Sequence, residues 1–268
     1  MGRVEGKVAV ITGGGSGIGE ACAVRLAREG AAVAVVDIAA DGAERVATAI
    51  VAAGGRAIPV TADVSDEDHV RRMVTTTVSE FGRLDILHNN AALVAHEVFR
   101  RDRTVTEMDL EVWEAIMAVN LRGPMLGTKH AVPVMIDGGG GSIVNMSSGS
   151  SQLGDIERSA YGASKAGLNA LTLYTATQYG RQGVRANAIL PGLILTPAAA
   201  TNLPADVRAI VESNVLTPHV GEPDDIAHLV TYLASDESRY VTGQLFPVNG
   251  GQSSHQPTYA QRTAWMAP

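Results

Sequence analysis

The sequence predicts a single α/β domain whose parallel sheet is covered by helices on both faces. Three observations carry this. Short apolar runs alternate with longer stretches of helical periodicity. The first run leads directly into a glycine-rich turn that opens a helix. The 268 residues, 46% apolar and 18% charged, supply one substantial core without an internal repeat or a composition break. One domain over residues 1–251 is expected, with residues 252–268 as a C-terminal tail.

The elements follow in order. Lys7–Thr12 reads as a buried strand, and Gly17–Glu29 as a helix, with Ile18, Cys22 and Leu26 recurring every four residues. Ala32–Asp37 is a second strand, and Asp41–Ala53 a helix closed by Gly54 and Gly55. Ala57–Thr61 is a third strand. Ser65 and Asp66 are candidate caps for a helix running to Phe81, with Gly82 as its stop. Leu84–His88 is a fourth strand, followed by helical segments to about Met135 with a break near Gly123–Pro124. Ser142–Met146 and Val184–Leu190 are strands flanking a long helix, Ser159–Tyr179. Helices near Ala205–Asn214 and over Pro223–Ala234 precede a last strand, Gln244–Val248. In such sheets ligands bind beyond the carboxyl ends of the strands.

A net charge of −7 without a long Lys/Arg run argues against a dedicated nucleic-acid or membrane-surface binder. The cluster Arg100–Arg101–Asp102–Arg103 reads as a solvated loop. Cys22 is the single cysteine, which forbids an intrachain disulfide, suits a reducing cytoplasm and fits packing in a helix. No apolar run reaches the length of a membrane span, so a cytoplasmic location is expected. The seven histidines show no compact ligand spacing, so no metal site is expected.

The turn TGGGSGIG spans Thr12–Gly19 directly after the first strand. Missing side chains there let backbone N–H groups and a helix N-terminus approach a pyrophosphate. Asp37 ends the second strand, where a carboxylate accepts hydrogen bonds from an adenosine ribose and repels a 2′-phosphate. Ile38 follows it, so no adjacent cation offers to pair with that phosphate, and NAD is favoured over NADP.

With Thr12–Gly19, Asp63, Asn89–Ala92, Asn120, Ser148, Tyr161-xxx-Lys165 and Pro191–Gly192 in this order, the chain resembles the classical short-chain dehydrogenase/reductase family from Lys7 to Gly251. The resemblance implies a doubly wound, Rossmann-like domain with a seven-stranded parallel sheet. It also implies nicotinamide-dependent redox chemistry and a homotetramer. It assigns cofactor contacts to Gly13, Ser16, Gly17, Ile18, Gly19, Asp37 and Ile38. Asp63 and Val64 would hold the adenine, and Asn90 and Ala91 would line the adenosine side. The family usually has Gly where Ala92 stands. Pro191, Ile194 and Thr196 fall where its members contact the nicotinamide amide and phosphates.

Positions 161 and 165 share one helix face, about 6 Å apart along the axis. A free tyrosine, with a pKa of about 10, is a poor base near neutrality, and a nearby ammonium lowers that value. Tyr161 then becomes a candidate general acid/base for an alcohol hydroxyl, with Lys165 as the ammonium. The resemblance gives Lys165 a second task, bonding the nicotinamide ribose. A serine hydroxyl beyond the fifth strand is placed to stabilise charge on a substrate oxygen. Ser147 and Ser148 both qualify, and the family's 13-residue interval to Tyr161 selects Ser148. The resemblance gives Asn120 a water that connects Lys165 to solvent.

By the family's layout the substrate is walled by Ala92–Val98, Gly149–Arg158 and the loop from Leu193 to about Leu216. The last loop is rich in small apolar residues and suits an apolar or alicyclic secondary alcohol or ketone. Asp155, Glu157 and Arg158 offer polar recognition instead. Tyr259 and Trp265 in the tail suggest that it packs against its own or a neighbouring subunit. Two other functions share these motifs: a catalytically idle nucleotide sensor, and an epimerase or dehydratase relative.

Overall fold

The computed structural model describes residues 2–94 and 96–266. Seven strands form one parallel sheet: β1 (Val8–Thr12), β2 (Ala32–Asp37), β3 (Arg56–Thr61), β4 (Ile86–Asn89), β5 (Gly141–Met146), β6 (Val184–Pro191) and β7 (Leu245–Val248). Their order is β3-β2-β1-β4-β5-β6-β7, so the chain winds outward from β1 and then returns to its other side at β4. That reversal opens the crevice at the carboxyl ends of β1 and β4, where ligands bind in such sheets.

Among the described residues the helices are α1 (Gly17–Arg28), α2 (Ala40–Ala52), α3 (Glu67–Phe81), α4 (His96–Phe99), α5 (Leu110–Met117), α6 (Gly123–Asp137), α7 (Ser159–Tyr179), α8 (Pro197–Asn202), α9 (Ala205–Glu212), α10 (Pro223–Ala234) and α11 (Tyr259–Met266). Local chemistry sets their ends. The Asp66 carboxylate accepts from the His69 N–H at 3.0 Å to start α3, and Gly82 at φ 82° stops it. Ser65, the other candidate cap, instead donates to Asp63 Oδ1 through both its N–H and its hydroxyl.

Alternation along each strand divides the core into two layers. In β1, Ala9 and Ile11 face Cys22 and Leu26 of α1 and Val230 of α10, while Val10 faces Met73 of α3 and Met135 of α6. Both faces are covered, which is why β1 and β2 are apolar without interruption. Cys22 is buried and its thiol pKa is pushed up by burial, consistent with packing.

The helical stretch before α6 is not interrupted by Pro124, which sits in the first turn of α6 where its missing N–H costs nothing. Instead a single π-turn, Ala118–Arg122, joins α5 to α6 and carries the buried Asn120.

His88 in β4 is fully buried. Its Nδ1 donates to the Val144 carbonyl at 3.0 Å, and Nε2 has no partner among the described residues. Burial lowers its pKa to about 4 from the ordinary 6.5. The unfolded chain therefore takes up a proton that the fold refuses, and stability falls as pH drops from about 6.5 toward 4 by about 3 kcal/mol. His88→Asn keeps the donor to Val144 and removes this titration. Denaturant melts at pH 7 and pH 4.5 should show a smaller acid loss in the variant.

Candidate active site

The turn after β1 is built for close approach. Gly13 and Gly17 hold φ of 64° and 54°, which side chains resist. A Cβ on Gly19 would stand 2.0 Å from the Gly13 carbonyl oxygen and 2.7 Å from Asn90 Nδ2. Asn90 Nδ2 donates to the carbonyls of Thr12 and Gly13 at 3.0 and 3.1 Å. The Thr12 hydroxyl accepts from Asn90 N and Ala91 N and donates to His88 O. The ends of β1 and β4 are thereby stitched together. Thr12 heads the turn motif, but this bridging role was not legible in the motif because it needs β4 beside β1.

Asp37 Oδ2 accepts from Gly15 N at 2.9 Å and Oδ1 from Ala39 N at 3.0 Å, fixing the carboxylate beside the turn. Ile38 beside it is 70% exposed. Ser16 precedes α1 without capping it, so the first N–H groups of the helix keep their donors for an anion. Thr196 closes the other side: its Cγ2 would lie 3.2 Å from a Cβ on Gly17. Its hydroxyl accepts from Ala199 N to cap α8. Ile194 is buried and bridges Gly221, and Pro191 ends β6. Val64 is buried beyond β3, beside Asp63. Ile18 packs on the core from α1. The residues present fit a dinucleotide: a glycine cradle that a Cβ would fill, an uncapped helix start and a carboxylate at the end of β2.

Tyr161 and Lys165 lie in the first two turns of α7. Lys165 is buried, and its Nζ donates to the Met146 carbonyl at the end of β5 at 2.7 Å. Burial lowers its pKa to about 8. Tyr161 is half-buried, and its pKa is raised. Burial is the main cause, opposed by a hydrogen bond with Ser148 and by the positive charge of Arg158. The expected lowering by Lys165 does not offset burial, and its ammonium is engaged by the Met146 carbonyl. Ser148, rather than Ser147, acts on the phenol, lowering its pKa against the effect of burial. Ser147 is buried and donates to Lys165 O at 3.2 Å.

Asn120 connects the two halves. Its Oδ1 accepts from Leu93 N at 2.8 Å, just after the Asn90 turn. Its Nδ2 lies 3.4 Å from Ser164 Oγ, which donates to Tyr161 O. Glycine turn, Asn120 and Tyr161 therefore belong to one connected site on one side of the sheet.

The sequence profile of the family described as enoyl-(acyl carrier protein) reductase matches residues 13–253. A probable short-chain type dehydrogenase/reductase from Bradyrhizobium diazoefficiens is 45% identical over 97% of this chain and 92% of its own. The chain belongs to the short-chain dehydrogenase/reductase family. Another relative, cis-4-hydroxycyclohexanecarboxylate dehydrogenase of Sinomonas cyclohexanicum, is 40% identical over 92% of this chain and 97% of its own. A solved 7α-hydroxysteroid dehydrogenase complexed with NADH and 7-oxo glycochenodeoxycholic acid superimposes with a TM-score of 0.88. It is 30% identical and covers 93% of this chain and 95% of its own. As a short-chain dehydrogenase/reductase the protein is an oxidoreductase of CH–OH groups with a nicotinamide dinucleotide as cofactor.

The family's usual glycine after Asn90–Ala91 is not needed here. Among the described residues Arg158 is the only non-glycine at positive φ, so Ala92 adopts an ordinary backbone.

The arginines of the cluster at 100–103 are exposed in a turn, as expected of a solvated loop, but Asp102 among them is not. Arg101 pairs with Asp109 and Glu111, and Arg103 with Glu107. Asp102 is fully buried. Its Oδ1 accepts from Ala160 N at 3.0 Å and its Oδ2 from Tyr161 N at 2.9 Å, while its carbonyl accepts from Arg158 N at 2.8 Å. This short-chain dehydrogenase/reductase thus caps α7 with a carboxylate from the segment after α4, where sequence reading looks only next to the helix. Asp102→Ala leaves two N–H groups at the start of α7 without an acceptor. It should cost about 1–3 kcal/mol in urea melts, with Asp102→Asn intermediate.

The tail is tied at its start and open at its end. His255 Nε2 lies 2.7 Å from Asn214 O, and the rings of His255 and Tyr259 are 4.5 Å apart. Trp265, expected to pack, is 84% exposed within this chain.

Proposed function

We propose that the protein transfers a hydride between NAD(H) and a secondary alcohol or its ketone on an apolar, alicyclic frame, with Tyr161 as general acid and base. The observation that carries this is the placement of Tyr161 beside Ser148, on a helix anchored to β5 through Lys165. Both hydroxysteroid and hydroxycyclohexane relatives act on ring alcohols by name, which supports the alicyclic frame.

In this reading Gly13, Ser16, Gly17, Ile18 and Gly19 cradle the pyrophosphate at the start of α1. Asp37 receives the adenosine ribose hydroxyls, with Ile38, Asp63, Val64, Asn90 and Ala91 around the adenosine. Pro191, Ile194 and Thr196 hold the nicotinamide end, and Lys165 the adjoining ribose. NAD is favoured over NADP because the nearby cation is already neutralised. Arg45 forms a two-point pair with Glu20 and donates to Gly15 O at 2.8 Å. A nicotinamide held there would supply the hydride acceptor for oxidation and the hydride donor for reduction. Tyr161 takes the hydroxyl proton in oxidation and gives it back in reduction, and its raised pKa keeps it protonated for the second task. Ser148 steadies the substrate oxygen. Asn120 holds a water that links Lys165 to solvent.

The working unit in this reading is a homotetramer in the cytoplasm. Met117, Leu121, Met125 and Leu171 line an apolar groove between α5, α6 and α7, beside the exposed Tyr174, and offer a face to a second copy. The buried thiol of Cys22 suits a reducing compartment.

Absorbance at the reduced-nicotinamide band with alicyclic secondary alcohols tests the reading, run in parallel with NAD and NADP. Turnover with NAD well above that with NADP is expected. NAD binding without turnover across the panel sinks it in favour of a sensor.

A further inference from the structure

Arg158 is the one strained position among the described non-glycine residues, at φ 64° and ψ 40°. This left-handed conformation is strained for an arginine and nearly free for a glycine. The strain is held in place: Arg158 N donates to the buried Asp102, and Ser159 Oγ donates to Arg103 O at 3.2 Å. Such outliers persist where the surrounding structure over-determines them, and they gather at functional sites.

The turn at 158 sets the guanidinium over the Phe99 ring, with its carbon 4.8 Å from the centroid. Phe99 in turn meets the Tyr161 ring edge to face at 5.4 Å. One aromatic ring therefore separates the cation from the candidate acid/base, and the two lie at most about 10 Å apart. The positive charge reaches the phenol, whose pKa it lowers.

The neighbouring arginines, Arg101 and Arg103, have carboxylate partners. Among the described residues Arg158 has no ion pair, and no hydrogen bond from its guanidinium is found. Asp155 and Glu157 stand next to it in the chain, yet the backbone turn places the side chain on Phe99 rather than on either of them. Its N–H fork is left for a ligand, and the planar fork matches a carboxylate in two-point contact.

We propose that Arg158 recognises an anionic group of the substrate, so that the substrate is an alicyclic alcohol or ketone bearing a carboxylate. The proposal rests on the hydride-transfer reading above and adds a charge to its apolar frame. The carbinol carbon sits at Tyr161 and Ser148. The ring lies along Phe99, and the carboxylate on the far side of that ring reaches Arg158.

The experiment uses the enzyme saturated with NAD and two probes of the same shape, cyclohexanecarboxylate and cyclohexanecarboxamide, measured by titration calorimetry. The carboxylate should bind at least tenfold more tightly. Arg158→Gly removes the guanidinium while suiting the left-handed backbone, so the fold is retained. It should erase the preference, and Arg158→Lys should keep part of it. Equal affinities in the wild type, binding of neither probe, or a preference that survives Arg158→Gly overturns the proposal. Turnover of 4-oxocyclohexanecarboxylate with NADH is followed separately. A carboxylate preference without turnover of this or any other ring ketone defeats the redox reading instead.

Discussion

Tyr161→Phe lowers kcat by about 10²–10⁴-fold while NADH binds as before. The substitution removes one oxygen and little else. The ring still meets Phe99 edge to face, and the backbone N–H of residue 161 still donates to Asp102. Lys165 keeps its bond to Met146. What disappears is the proposed proton donor and acceptor at the substrate oxygen, beside Ser148. The raised pKa adds a direction. Ketone reduction, which needs the protonated phenol, is sustained through neutral pH. Alcohol oxidation, which needs the phenolate, gains as pH rises toward the phenol's own range. Stopped-flow absorbance gives kcat, and NADH fluorescence titration gives the affinity. A variant that loses affinity as much as turnover would show that the side chain serves the fold of the cofactor site and not the proton.

Gly19→Ala weakens NADH binding strongly and costs about 1–3 kcal/mol of stability. The new methyl would stand 2.0 Å from the Gly13 carbonyl oxygen and 2.7 Å from Asn90 Nδ2, distances that no rotamer relieves because the clash is at Cβ itself. The turn has to open, and Asn90 loses its grip on the Thr12 and Gly13 carbonyls. Gly180→Ala is the control, since a Cβ there meets nothing within 4 Å and the backbone is helical. Urea melts and NADH titrations of the two variants should diverge on both measures. If Gly19→Ala binds NADH like the wild type, the turn is not the cradle proposed for it.

Much of this architecture was legible because its causes are local. Strands such as Ala32–Asp37 announce themselves by uninterrupted apolar residues, and the limits of α7 and α10 fall where the sequence puts them. The glycine turn declares its backbone needs by its own composition. The features that escaped depend on groups far apart in the chain. Asp102 bonds residues 58 and 59 positions away, so its arginine neighbours, not its partners, dominated the sequence reading. Thr12 Oγ1 works across 78 positions to reach Asn90. The electrostatics of Tyr161 escaped for a related reason: helical spacing puts Lys165 nearby, but the carbonyl of Met146, from another element, claims its ammonium.

Asp102 also binds two jobs to one stretch of chain. The residues from Phe99 to Arg103 contribute a wall beside the Tyr161 phenol and, through one carboxylate, the anchor of the helix that bears it. Anyone grafting a foreign loop here to admit a bulkier ketone would also unmoor the machinery that turns it over. A successful graft has to carry that aspartate across unchanged.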